Sequence, residues 1–117
     1  LHYGAKVSIK SALEEFFSRV GRKVYVAAEL GVYYPGVPRF APDILAVMDV
    51  ENHPRTSWVV SKEGRGLDVV IEVIVKGHPR KDTERNVVRY AGLGIREYFI
   101  FDQSRARLNG FHLAEPG

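Results

Sequence analysis

Two acidic residues, Asp43 and Glu72, each lie inside a short apolar run, and this feature constrains the fold more than any other. The runs cover residues 40–48 and 67–75; both are continuous and rich in β-branched side chains, which is typical of buried β-strands. An isolated buried charge is too costly, so a carboxylate in such a strand must be paired, protonated or bound to a metal. The sequence therefore predicts a compensating group beside each acid.

A divalent cation is one such group. Two carboxylates about 5 Å apart repel by about 3 kcal/mol at an effective dielectric of 20, which corresponds to roughly two pKa units. Mg²⁺, for which Mn²⁺ can substitute, typically binds one or two carboxylates together with water and phosphate oxygens. Asp43 and Glu72 are the predicted metal ligands, and Glu29, near the end of the first predicted strand, is the preferred third acid. Glu14 and Glu15 on the first predicted helix are alternatives.

Each acid also has a purely structural interpretation. Asp43 follows Pro42 and could accept backbone hydrogen bonds at the start of a strand. Glu72 could form a salt bridge with an arginine of the helix that follows it. Both interpretations stay open at this stage.

The composition limits the class of protein. A chain of 117 residues, 45% apolar and 26% charged, is typical of one globular domain. It has no Cys, which excludes disulfides and thiol catalysis, and its net charge of +3 is compatible with a polyanionic partner. Neither a membrane span nor a signal peptide is visible, so we expect a cytoplasmic protein without a membrane partner. The chain does not begin with Met, and we expect the natural N- and C-terminal segments to be missing.

Hydrophobic periodicity predicts two helices and a mixed sheet. The helices cover residues 7–20 and 82–91, and strands are predicted at residues 23–30, 32–34, 40–48, 57–61, 67–75, 97–101 and 108–113. The strand–helix–strand step between residues 67 and 101 indicates a parallel crossover, and the other strands indicate antiparallel pairing. Trp58 is predicted in the core, whereas Tyr90 and Tyr98 are predicted to pack with their hydroxyls at the surface.

Basic residues cluster ahead of and inside the second helix. They are Lys76, His78, Arg80, Lys81 and Arg85. Such a cluster could bind phosphates, and a solvated basic face explains it equally well.

Several short stretches, in this order and at this spacing, carry a family resemblance. They are Ala41-Pro42-Asp43-Ile44, Val70-Ile71-Glu72-Val73, Lys81-Asp82, Tyr90-Ala91 and the segment 94–102. Together they resemble the restriction-endonuclease-like PD-(D/E)XK superfamily, in particular its bacterial branch abundant in cyanobacteria. The resemblance implies an α/β domain with a mixed β-sheet flanked by α-helices, Asp43 and Glu72 as metal ligands, and DNA as the substrate. Superfamily members often dimerise to cut both strands, so a homodimer is a further expectation.

The chain departs from the superfamily pattern at its lysine. The superfamily pattern has a Lys two residues after the motif Glu, and that position is Ile74 here; the position on the next helix that often supplies the Lys instead is Asn86. Lys76, Arg85 and Arg89 are the candidate substitutes; an arginine stays protonated but can stabilise charge.

The leading prediction is Mg²⁺-dependent hydrolysis of DNA phosphodiester bonds. The alternative is a catalytically degenerate nuclease-fold module that binds nucleic acid or a protein partner. A third hypothesis is a protein that cuts DNA only together with a partner.

Overall fold

A computed structural model describes residues 2–74 and 80–113 of the chain. Its elements, in chain order, are α1 (His2–Arg19), β1 (Val24–Ala28), β2 (Gly31–Tyr33), β3 (Ile44–Met48), β4 (Ser57–Val59), α2 (Val60–Glu63), β5 (Val69–Ile74), α3 (Arg80–Gly92), β6 (Glu97–Asp102) and β7 (Arg107–His112). No helix in this described part is long and apolar enough to cross a membrane.

Five strands form one mixed sheet in the order β1-β3-β5-β6-β7. β3 pairs antiparallel with both β1 and β5, and β7 pairs antiparallel with β6. β5 and β6 are parallel, and α3 connects them. The predicted α/β class, mixed sheet and parallel crossover are therefore confirmed.

The two faces of this sheet bury different clusters. On one face, α1 packs Ile9, Leu13 and Phe17 against strand residues such as Val26 and Ile71. The opposite face carries the larger cluster, to which α3 contributes Val87, Tyr90 and Ala91. Trp58 is fully buried in that cluster, as predicted, and its indole N–H donates to the carbonyl of Arg65 over 2.9 Å.

Most predicted strands differ from the structure at their ends, and in two of them the difference has a clear cause. The strand expected at 57–61 ends at Val59, because the chain turns into α2, which Gly64 closes with a left-handed φ of 80°. β3 begins at Ile44 rather than at residue 40; Phe40 forms only an isolated bridge with Val32. Pro42, which has no backbone N–H, separates the two segments. β2 and β4 pair in parallel as a separate small sheet.

Candidate active site

Asp43 and Glu72 lie side by side at one end of the β3–β5 pair. Ile44 is paired with Ile71, so the same antiparallel register continued by one residue places the two acids opposite each other. The N–H of Val73 donates to Asp43 Oδ2 over 2.7 Å, and the N–H of Asp43 makes a longer contact of 3.4 Å to Glu72 Oε2. Asp43 therefore accepts a backbone hydrogen bond, as its purely structural interpretation predicted, and it also lies beside Glu72.

The carboxyl group of Glu72 is held in an environment that disfavours its charge. Burial first, and then the charge of Asp43, raise the pKa of Glu72 above its usual range. The hydroxyl of Tyr90 partly opposes this effect by donating to Glu72 Oε1 over 3.0 Å. A proton or a cation beside Glu72 would relieve the remaining cost.

Lys6 of α1 brings a positive charge to the same place. Its side chain is buried, and its Nζ lies 2.9 Å from Asp43 Oδ1 and 3.2 Å from Glu29 Oε1. Burial lowers the pKa of Lys6, but the hydrogen bonds to Asp43 and Glu29 outweigh it, so the net pKa is raised and the amine stays protonated. A lysine is almost never fully buried unless it is paired, and here both partners are carboxylates.

Sequence reasoning did not identify Lys6, although a signal existed. Lys6 precedes Ile9 and Leu13 at the i, i+3, i+7 spacing of one helix face. A single lysine in line with an apolar stripe is a residue whose ammonium group must find a partner at the edge of the core.

Glu29 is positioned by an unusual backbone. It directly follows β1, has a left-handed φ of 55° and donates its N–H to the carbonyl of Asp43 over 3.0 Å. The left-handed region costs a non-glycine residue about 1–2 kcal/mol. The side chain of Glu29 is 54% exposed, so the Lys6–Glu29 ion pair forms the solvent side of the site.

Asn86, at the position of the expected helix lysine, faces this region. Its Nδ2 donates to the hydroxyl of Tyr98 over 3.2 Å. Burial raises the pKa of Tyr98 to about 12; the Asn86 hydrogen bond opposes the rise, and the charges of Glu72 and Asp43 add to it. The expectation of surface hydroxyls was wrong, because Tyr90 and Tyr98 are 3% and 0% exposed and their hydroxyls bond Glu72 and Asn86.

Of the three basic residues predicted to replace the missing lysine, Arg85 and Arg89 lie in the described part of the chain. Arg89 is exposed, and its guanidinium lies 4.9 Å from the ring centre of Phe40 and 5.9 Å from that of Tyr90. Arg85 is exposed on α3. Lys76 and His78 lie outside the described residues, as do the side chains of Arg80 and Lys81, so the phosphate-binding cluster stays a prediction.

The donor set fits a hard divalent cation only in part. Asp43 and Glu72 supply adjacent carboxylate oxygens, and the raised pKa of Glu72 indicates a place where added positive charge is favourable. Within residues 2–74 and 80–113, however, no three His, Asp or Glu side chains converge into a metal-binding group. Glu29 as a third ligand stays a prediction, and its carboxylate is bonded to Lys6.

Two comparisons with known proteins found a match. A family model called Uma2, described as "Putative restriction endonuclease", matches residues 2–117. The fold is similar to the crystal structure of "a putative nuclease belonging to DUF820" from Anabaena variabilis, with a TM-score of 0.72 and 13% sequence identity. That match covers 98% of this chain and 64% of the other, so the chain spans somewhat less than two thirds of its structural neighbour. The search of curated proteins gave no match.

Proposed function

The chain belongs to the Uma2 family, and on that basis we propose that it is a metal-dependent endonuclease that hydrolyses DNA phosphodiester bonds. The observation that carries the proposal is the adjacent pair of Asp43 and Glu72 at the end of β3 and β5. Ionised together, these side chains repel each other in a largely buried site, and a divalent cation compensates them without protonation.

The surrounding residues orient the two proposed ligands. The Val73 N–H fixes Oδ2 of Asp43, and the Tyr90 hydroxyl fixes Oε1 of Glu72, so both carboxylates are held in defined orientations. The remaining oxygens are Oδ1 of Asp43, which a cation would share with Lys6, and Oε2 of Glu72. Bound between Asp43 and Glu72, Mg²⁺ or Mn²⁺ would supply Lewis acidity and would lower the pKa of a bound water. In the reaction, a water oxygen forms a new bond to phosphorus, one ester P–O bond breaks, and a proton from the water ends on the leaving oxygen.

The DNA contacts belong to the same proposal. Arg85 and Arg89 are exposed on α3, the helix that also carries Tyr90, and Lys76, His78, Arg80 and Lys81 precede or begin it in the sequence. Basic side chains around a site release counterions from DNA, so binding should weaken as the salt concentration rises. A cytoplasmic location and a homodimer remain predictions.

Calorimetric titration with Mn²⁺ tests the metal site. We expect the wild type to bind in the micromolar range and Asp43→Ala and Glu72→Ala to lose binding. Asp49→Ala is the control, because Asp49 is exposed and paired with Arg22 at 3.2 Å. Nicking of supercoiled DNA in Mg²⁺ should follow the same order. A wild type that binds no Mn²⁺ and does not nick DNA would refute the proposal.

A second function is favoured by the missing lysine. Asn86 is neutral and bonds Tyr98, and the guanidinium of Arg89 packs over aromatic rings. These features suit a catalytically degenerate module that binds nucleic acid or a protein partner. DNA binding measured by fluorescence anisotropy with EDTA, without nicking under any metal, would favour this second function over the first.

A further inference from the structure

Lys6 is the feature of this site whose chemistry the metal-ligand proposal leaves unused. A phosphodiester that is being hydrolysed gains negative charge on its non-bridging oxygens, and a preorganised cation at that place lowers the barrier. The ammonium group of Lys6 is already held beside Asp43, at 2.9 Å from Oδ1. It comes from α1, outside both sequence positions at which the superfamily resemblance expects a lysine.

Among residues 2–74 and 80–113, the bonding of Lys6 leaves one N–H donor for a substrate. An ammonium group has three N–H donors, and the contacts to Asp43 and Glu29 account for two of them. The contact with Asp43 is less accessible to solvent than the contact with Glu29, because the Asp43 side chain is 20% exposed and the Glu29 side chain is 54% exposed. A phosphate oxygen arriving from solvent therefore meets Lys6 from the side of Glu29.

The backbone at Glu29 supports a functional origin for this arrangement. The left-handed φ of 55° is a local cost, and such costs tend to persist where the surrounding structure uses the conformation. Here the conformation places the Glu29 carboxylate against a buried lysine. Glu29 then holds the ammonium group of Lys6 at the solvent side of the site, where its third N–H can meet a phosphate oxygen.

We propose that Lys6 is a catalytic residue of this site, the α1 lysine that donates to a non-bridging oxygen of the scissile phosphate in place of the lysine missing at Ile74 and Asn86. This inference rests on the proposed nuclease function. It assigns to Lys6 a contact with the substrate, in addition to its ion pair with Asp43.

Two measurements on Lys6→Met separate that role from a merely structural one. We expect Mn²⁺ affinity to be equal to that of the wild type or up to tenfold higher, because a competing positive charge beside Asp43 is removed. We expect the single-turnover rate of DNA cleavage to fall at least 100-fold. Lys10→Met is the matched control, since Lys10 lies one turn further along α1 and pairs with Glu14 at 3.0 Å; it should change neither value by more than threefold.

A chemical rescue covers the case in which Lys6→Met fails to fold. The chain contains no Cys, so Lys6→Cys carries a single thiol, which 2-bromoethylamine converts under denaturing conditions into a close isostere of lysine. After refolding, the alkylated protein should recover at least a tenth of the wild-type rate, whereas the same protein alkylated with iodoacetamide should not.

Three results would overturn the inference. The first is cleavage by folded Lys6→Met within threefold of the wild type. The second is a parallel loss of Mn²⁺ affinity and cleavage in Lys6→Met, which would mean that Lys6 only holds Asp43 in place. The third is a wild type that binds no Mn²⁺ and cuts no DNA, in which case the proposed function fails and this inference fails with it.

Discussion

Replacement of Glu72 by Gln should stabilise the metal-free protein at neutral and higher pH. Opposed residues of an antiparallel pair have Cβ atoms about 4.5–5.5 Å apart, and two charges at about 5 Å repel by about 3 kcal/mol at an effective dielectric of 20. Glu72→Gln removes that repulsion and keeps an acceptor for the Tyr90 hydroxyl, although a hydrogen bond to a neutral group is weaker by about 1 kcal/mol. The expected net gain is about 1–2 kcal/mol.

The sign of the pH dependence follows from the raised pKa of Glu72. The native state binds the Glu72 proton more tightly than the unfolded state does, so the cost of ionisation is fully present above the native pKa. It vanishes below the pKa of an unfolded glutamic acid, about 4.3. Glu72→Gln should therefore gain stability over the wild type as the pH rises from 4 to 8, and saturating Mg²⁺ should remove the gain.

Urea unfolding at pH 4 and pH 8 measures this difference. With a slope of about 2 kcal/mol per molar, the midpoint at pH 8 should rise by about 0.5–1 M. Glu51→Gln is a control of opposite sign, because Glu51 is exposed and its hydrogen bond with Lys23 lowers its pKa. The reasoning is refuted if Glu72→Gln is no more stable than the wild type at pH 8, or if its gain is the same at pH 4.

Three further substitutions can be tested, two by urea unfolding and one by DNA cleavage. Tyr90→Phe removes the hydroxyl that bonds Glu72, so it should cost about 1.5–3 kcal/mol in urea unfolding at pH 8 and less at pH 4, where Glu72 is neutral; equal costs would contradict the assignment. Trp58→Ala should cost about 3–5 kcal/mol by the same assay, because the indole is fully buried; a loss under 1 kcal/mol would show that the site is not core. Asn86→Lys should restore single-turnover cleavage to Lys6→Met by at least tenfold, and no recovery would indicate that residue 86 does not reach the phosphate.

The fold was largely predictable from the sequence because its strands are strongly patterned. The run around Glu72 and the run at 97–101 were identified as strands with a helix between them, and that order led to the parallel crossover of β5 and β6. The split between two sheets could not be predicted in this way. β2 and β4 are three residues each and pair at long range, which periodicity within one segment does not reveal.

The candidate site was predictable only for residues that break a pattern. Asp43 and Glu72 stood out because a charge inside a strand is costly, and the structure places them together. Tyr90 did not, because a tyrosine on a helix is ordinary in sequence. Lys6 did not, because it lies one residue before the predicted helix 7–20, so its alignment with the apolar stripe of that helix was not considered. Their roles depend on how α3 and α1 dock on opposite faces of the sheet, and the sequence does not fix that docking.

The charges of the four central residues support the proposed cation in addition to Lys6. Asp43, Glu72 and Glu29 carry three negative charges when ionised, and Lys6 offsets one of them, so two remain at a site that is partly buried. One divalent cation would balance these two negative charges, whereas a second lysine at position 86 would leave a single negative charge for the cation to balance. Asn86→Lys in the wild-type background should therefore weaken Mn²⁺ binding, while the same change in Lys6→Met keeps the local charge constant and should leave binding unchanged. On this account the neutral side chain of Asn86 and the charged side chain of Lys6 are two parts of one charge balance.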